Sequence, residues 1–110
     1  RLLACEALAR ARAAFARHDA GRAAALCRAL LQEDPHNEEC LPLYISTLVS
    51  LGQKPDLFYL AHRLVQANPS APHAWYAVAS YYLLLNNYEA AQRYFGKCTA
   101  LGPGWAAGWA

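Results

Sequence analysis

PHAWYAVASYYLLLNNYEAAQRYFGKCTALGPGW, residues 72–105, reads as two amphipathic helices joined by a tight turn. Trp75, Val78 and Tyr82 fall at i, i+3 and i+7, the spacing of one apolar helical stripe. Asn86-Asn87 breaks the pattern with residues that suit a turn. Ala79, Ala91 and Cys98 are small, as expected where two antiparallel helices approach closely, and Phe95 is a large plug between them. Pro103 closes the stretch after Gly102.

Upstream, Pro69 follows Asn68 and Pro35 follows Asp34, so three helix-ending pairs stand 34 residues apart. A fixed period of this length marks a helical repeat array, and 34 is the period of the tetratricopeptide family. The fold class expected is all-α, an α-solenoid of antiparallel helix pairs. The repeats fall at about 4–37, 38–71 and 72–105, with a further one starting near 106. Trp109 stands 34 residues after Trp75, at the same repeat position, and played no part in setting that register.

The second repeat departs from the family pattern. Ile45, Leu57 and Leu64 occupy positions that are usually small, and Ala61 stands where a large residue is usual. Cores tolerate such exchange between facing sites if total volume is kept. The first repeat carries Arg10 at a position normally apolar. Either its first helix is shifted, or Arg10 runs its aliphatic stem along an exposed end.

Punctuation between the stripes agrees. Gly52 suits a left-handed helix end. Pro55 suits the first turn of the next helix, where a missing N–H costs nothing. Asp19-Ala20-Gly21 reads as the turn of the first repeat. Pro42 must lie in a first helical turn, which puts that helix start near Glu38 or Glu39. Helices are predicted at about 2–17, 21–33, 38–51, 55–67, 72–85 and 88–101, with another beginning after 104. Stacking buries each stripe against its neighbour, so Trp105 and Trp109 imply that further repeats follow. The chain of 110 residues, without a methionine, reads as an internal piece of a longer protein.

Hydrophobic residues make up 56% of the chain, enough for a core, yet no uncharged apolar run reaches membrane-spanning length. A net charge of +2 supplies no strong field for nucleic acid, and the arginines of the first repeat read as a solvated face. Cys5, Cys27, Cys40 and Cys98 form no Cys-x-x-Cys pair and read as small buried thiols in a reducing compartment. His36 and Cys40 share a helix face at i, i+4, but two ligands fall short of a zinc set. His18 and His36 are expected in solvent, His62 mid-helix and His73 in a first turn, none at triad-like spacing with Ser or Cys and an acid. Glu38 and Glu39 are consecutive on a helix and do not face each other as a catalytic pair would. There is no Gly-rich phosphate loop. No catalytic residue, cofactor, metal or small-molecule substrate is indicated.

The remaining candidate site is the face formed by successive first helices. Leu8, Arg12 and Phe15 line it in the first repeat; Glu39, Ser46 and Val49 in the second; His73, Tyr76, Ser80 and Leu83 in the third. Chaperone-binding tetratricopeptide proteins use Lys and Asn at two of these positions to grip a terminal carboxylate. Here those positions hold Leu8 with Arg12, Pro42 with Ser46, and Tyr76 with Ser80, so that grip is missing. The face is mixed and rather apolar, suited either to other repeats or to a protein partner.

A narrower resemblance rests on Cys40-Leu41-Pro42, Thr47-Leu48-Val49 and, above all, Leu57-Phe58-Tyr59-Leu60-Ala61-His62-Arg63-Leu64-Val65. Asn68-Pro69-Ser70, Pro72, Trp75, Ala77-Val78, Tyr81-Tyr82-Leu83 and Ala91-Gln92-Arg93-Tyr94-Phe95 extend it. Over about residues 34–110 the chain resembles the subunit-six family of the anaphase-promoting complex, or cyclosome; residues 1–33 match loosely. The resemblance implies a non-catalytic scaffold in a multisubunit ubiquitin ligase of mitosis. Its partners would be other protein subunits, its full-length form a possible homodimer, and its setting nuclear and cytoplasmic. It transfers no individual partner-binding residue. The alternative is a free-standing adaptor that captures a peptide for a chaperone or transport receptor. RNA reading by related helical repeats finds no basic stripe to support it.

Overall fold

A computed structural model describes residues 2–35 and 37–102, with residues 2–5 described by their backbone alone. The Cys5 side chain, His36, Pro103, Trp105, Trp109 and the expected repeat start near 106 lie outside the described residues. Within them the secondary structure is helical throughout: α1 Leu2–Ala16, α2 Ala20–Glu33, α3 Cys40–Leu51, α4 Lys54–Ala67, α5 Pro72–Leu84 and α6 Tyr88–Leu101. Each end lies within two residues of the boundary expected from the sequence, the ordinary scatter of helix termini.

The period of 34 is visible in the backbone. The left-handed residues are His18 (φ 63°), Gly52 (φ 67°) and Asn86 (φ 61°), and they sit at equivalent places. The C-caps Asp34, Asn68 and Gly102 donate their N–H groups to Leu30, Leu64 and Cys98. Asp19 Oδ1 accepts from Arg22 N at 3.2 Å, and Asn87 Oδ1 accepts from Ala90 N at 3.2 Å, side-chain caps of the usual kind. The turn before α2 differs from expectation. Because Asp19 is the cap, the helix begins at Ala20 rather than 21, and the left-handed residue of the turn is His18.

The helices group into two compact units, α1–α3 and α4–α6. In the first, α1 packs on α2 and α2 on α3. α1 turns Leu8, Ala11 and Ala14 inward. Arg10 is therefore outside the stripe, exposed and 3.7 Å from Glu6. α2 buries Ala23, Ala24, Cys27 and Leu30. α3 is apolar on nearly every side, and Leu41, Ile45 and Leu48 are wholly buried, as a helix hydrophobic all round must be. Its entry is capped by Asn37, whose Oδ1 accepts from Glu39 N at 3.0 Å and Cys40 N at 2.9 Å. Glu39 is already in the right-handed helical region, so Pro42 sits in the first turn as its ring requires.

In the second unit, α5 packs on both α4 and α6. α4 contributes Leu57, Leu60, Ala61 and Leu64, an i, i+3, i+4, i+7 stripe. α5 answers with Ala74, Ala77 and Ala79, all 0% exposed, and α6 with Ala90, Ala91 and Cys98. Such small contacts let helix axes come close, and the large rings are displaced to the flanks.

Candidate functional site

The expected partner-facing residues divide by burial. Leu8, Ala11 and Phe15 follow one stripe of α1, so Leu8 is buried and Phe15 half-buried. Arg12 stands beside that stripe in solvent. Its guanidinium lies 3.9 Å from the Glu39 carboxylate at the entry to α3, and both side chains stay largely exposed. A pair of this kind contributes little to stability, about 0–1 kcal/mol. It does place two sequence-distant candidates side by side. Ser46 and Val49 on α3 are half-buried.

On α5, His73, Ala77 and Ser80 form a buried i, i+4, i+7 stripe, which leaves His73 and Ser80 almost no open surface. Tyr76 is half-buried with its ring 5.8 Å from Phe95, and Leu83 is exposed. The candidates that retain surface are therefore Arg12, Phe15, Glu39, Ser46, Val49, Tyr76 and Leu83.

The thiols are free and buried at Cys27, Cys40 and Cys98. Cys40 S–H donates to the Cys27 carbonyl at 3.8 Å. Its hydrogen bond with the Cys27 thiol, and then burial, push the Cys40 thiol above the usual range. Burial alone does the same to Cys98. Neither is a poised nucleophile, because the thiolate is the reactive form. Among the described residues no group of three His, Cys, Asp or Glu side chains is placed to hold a metal ion. No described helix is long and apolar enough to cross a membrane.

One surface was not singled out by sequence reasoning. Phe58 and His62 of α4 and Trp75, Val78, Tyr81 and Tyr82 of α5 flank an open groove of about 180 Å³. Phe58 meets Tyr81 at 5.4 Å between centroids; Tyr82 stacks on Tyr94 at 5.5 Å, and Tyr94 on Trp75 at 5.8 Å. Trp75 Nε1–H donates to the Pro69 carbonyl at 2.6 Å, which fixes the indole plane. Lys97 Nζ lies 4.0 Å from the Trp75 ring centroid and the Arg93 guanidinium 5.7 Å from that of Tyr94. Such cation–ring contacts are worth about 0.5–1 kcal/mol at exposed sites. The signal for this surface was present in the α4 run: Phe58, Tyr59, His62 and Arg63 occupy the positions between the buried leucines, and aromatics there have nowhere to go but the surface.

No family model matches the chain. It is 44% identical to the cell division cycle protein 16 homolog of Homo sapiens over 87 residues, covering 74% of this chain and 14% of the relative. It is 40% identical to the anaphase-promoting complex subunit CDC16 of Saccharomyces cerevisiae over 84 residues, covering 76% of this chain and 10% of that protein. The chain thus spans a small fraction of the length of these curated relatives. The crystal structure of the APC/C hetero-tetramer Cut9-Hcn1 superimposes with a TM-score of 0.85 at 32% identity, covering 88% of this chain and 19% of that one. The fold class is accordingly all-α, a tetratricopeptide-repeat α-solenoid. Identity of this degree over most of the chain, together with that superposition, establishes that the chain belongs to the subunit-six (CDC16) family of the anaphase-promoting complex.

Proposed function

We propose that this chain is a repeat segment of a non-catalytic scaffold within the anaphase-promoting complex, supporting ubiquitination of cell-cycle proteins without performing it. The observation that carries the reading is the 44% identity to a CDC16 homolog across most of the chain. Helix pairs that bury stripes of alanine and leucine favour it, because such modules gain stability by stacking and leave their faces for other proteins. The repeats would run over 4–37, 38–71 and 72–105, continuing near 106. The partner-facing set would be Arg12, Phe15, Glu39, Ser46, Val49, Tyr76 and Leu83. Its partners would be other protein subunits, and the full-length protein would form a homodimer, acting in the nucleus and cytoplasm. Cut9 forms a hetero-tetramer with Hcn1, and a comparable assembly is proposed for the full-length protein here. The test is affinity purification of the tagged full-length protein from dividing cells, with identification of its companions. The other subunits of one ubiquitin ligase should co-purify in fixed proportion. Recovery of chaperones or transport receptors instead would favour the adaptor reading.

A further inference from the structure

Two thiols meet inside the first unit. Cys27 lies midway along α2, and Cys40 is the first residue of α3. Both are free, and both are 0% exposed. Cys40 Sγ is 3.8 Å from the Cys27 carbonyl, and the two thiols also hydrogen-bond to each other. Sulfurs in such contact need to close by about 2 Å to reach the ~2.05 Å of a disulfide. A second tie holds the same two helices beside the pair: Arg28 Nε–H donates to the Tyr44 hydroxyl at 3.3 Å. Alone among the described cysteines, these two have each other as neighbours; Cys98 sits by itself in the second unit.

The surroundings divide the roles between the sulfurs. The hydrogen bond from Cys40 lowers the Cys27 pKa, against the effect of burial. The same contact, burial and the Asp34 carboxylate push the Cys40 thiol above the usual range, with the Arg12 guanidinium opposing them. The thiolate is the form that attacks a peroxide, so Cys27 is oxidised first and Cys40 resolves the product. Neither sulfur has open surface, so the oxidant that fits is a small one, admitted by local opening at the head of α3.

We propose that Cys27 and Cys40 form a peroxide-oxidisable dithiol whose disulfide staples α2 to α3. The Cys27 thiolate attacks hydrogen peroxide, an S–O bond forms, the O–O bond breaks and hydroxide leaves. That hydroxide takes the Cys40 proton. Cys40 Sγ then attacks the Cys27 sulfur, S–S forms and a second hydroxide departs, becoming water with the proton that Cys27 first released. The two sulfurs lose two electrons, the peroxide gains them, and two waters result. On the 34-residue register α2 ends one helix pair and α3 begins the next, so the bond stiffens the junction between them. A cross-link between residues thirteen apart also restrains the unfolded chain. The proposal draws nothing from the scaffold reading.

The test treats the folded whole chain with hydrogen peroxide. Free thiols counted afterwards in urea should fall from four to two. Peptide mapping should find the peptide holding Cys27 joined to the one holding Cys40. The urea midpoint should rise, and dithiothreitol should return both the thiols and the midpoint to the parent values. Cys40→Ser, with no resolving thiol, should leave a sulfenic acid on Cys27 that dimedone labels, whereas Cys27→Ser should leave Cys40 unlabelled. Four surviving thiols, a bridge through Cys5 or Cys98, a bridge between two chains, or oxidation confined to the urea-unfolded chain would each overturn the proposal. So would a Cys27–Cys40 bridge that leaves the midpoint where it was, or dimedone labelling of Cys40 rather than Cys27. The thiol count and the map are read on the unsubstituted chain, so they decide the matter even where a serine variant fails to fold.

Discussion

α3 and α5 are both apolar helices of similar length, 12 and 13 residues, yet they are buried in opposite ways. α3 fills its surroundings with large aliphatics: Leu41, Ile45 and Leu48 are wholly enclosed. α5 encloses Ala74, Ala77 and Ala79, and its rings Trp75, Tyr76, Tyr81 and Tyr82 stay half-exposed. The difference shows two solutions to one packing problem. Large branched side chains fill space between helices and are hidden as a result. Alanines bring backbones together and squeeze larger neighbours outward, where they become surface. A helix of the second kind is the one that can offer aromatic side chains to another molecule.

The largest effect should come from emptying α3. Ile45→Ala removes branched volume at a site with no exposure and should cost about 2–5 kcal/mol by the cavity it leaves. Urea unfolding followed by circular dichroism measures it. A loss below about 1 kcal/mol would mean that the surroundings of α3 collapse freely, and the contrast with α5 would disappear.

The opposite change belongs on α5. Ala79→Leu adds volume at a site that is 0% exposed, and overpacking of this kind costs about 1–3 kcal/mol. Ala91→Leu on α6, 3% exposed, should behave alike. Thermal melts that leave either variant at the parent midpoint would show that α5 and α6 are not in close approach there.

These two helices also explain what was readable beforehand. α4 and α6 were legible because Leu57, Leu60 and Leu64, or Ala91 and Cys98, recur at helical spacing between unmistakable stops at Asn68 and Gly102. The small sites Ala79, Ala91 and Cys98 were legible because a 34-residue period aligns them with positions of known close approach. The fate of each groove candidate was not. Leu8 and Ser80 fall on a buried stripe, and a rotation of one helix by a fraction of a turn decides between burial and exposure. The Arg12–Glu39 contact joins residues far apart in sequence, so no local pattern announces it. The aromatic groove needs α4 and α5 side by side. The turn before α2 was misassigned for a local reason: Asp19 and Gly21 both suit turns, and the side-chain cap made by Asp19 prevailed.

The equivalent turns sharpen the contrast at smaller scale, because the same left-handed geometry is met by His18 and Asn86 in two places and by Gly52 in the third. A Cβ at Gly52 would meet nothing within 4 Å, so the cost of Gly52→Ala is purely conformational. It should be about 1–2 kcal/mol, the strain of a left-handed alanine. Asn86→Gly should move stability by less than that, since Asn already tolerates the conformation and glycine loosens the unfolded chain. Equal effects of the two substitutions in matched melts would show that backbone geometry is not what selects glycine at 52.

The smallest difference between the two units lies in their thiols. Cys98 stands alone in the second, and burial pushes its thiol pKa above the usual range. The folded state then holds a proton that the unfolded chain releases above about pH 8.5. Its stabilising contribution is complete below that pH and falls away as pH rises toward the folded value. In the first unit the two thiols oppose each other. Cys40 is raised by its hydrogen bond with Cys27 and by burial, while Cys27 is lowered because Cys40 supports its thiolate. Their contributions to the pH slope have opposite sign. Urea midpoints at pH 7.5, 8.5 and 9.5 should therefore decline in the parent chain, and Cys98→Ala should flatten the decline more than the double substitution Cys27→Ala with Cys40→Ala. A slope that ignores Cys98 and answers only to the paired thiols would place the titrating burden in the first unit and reverse the comparison.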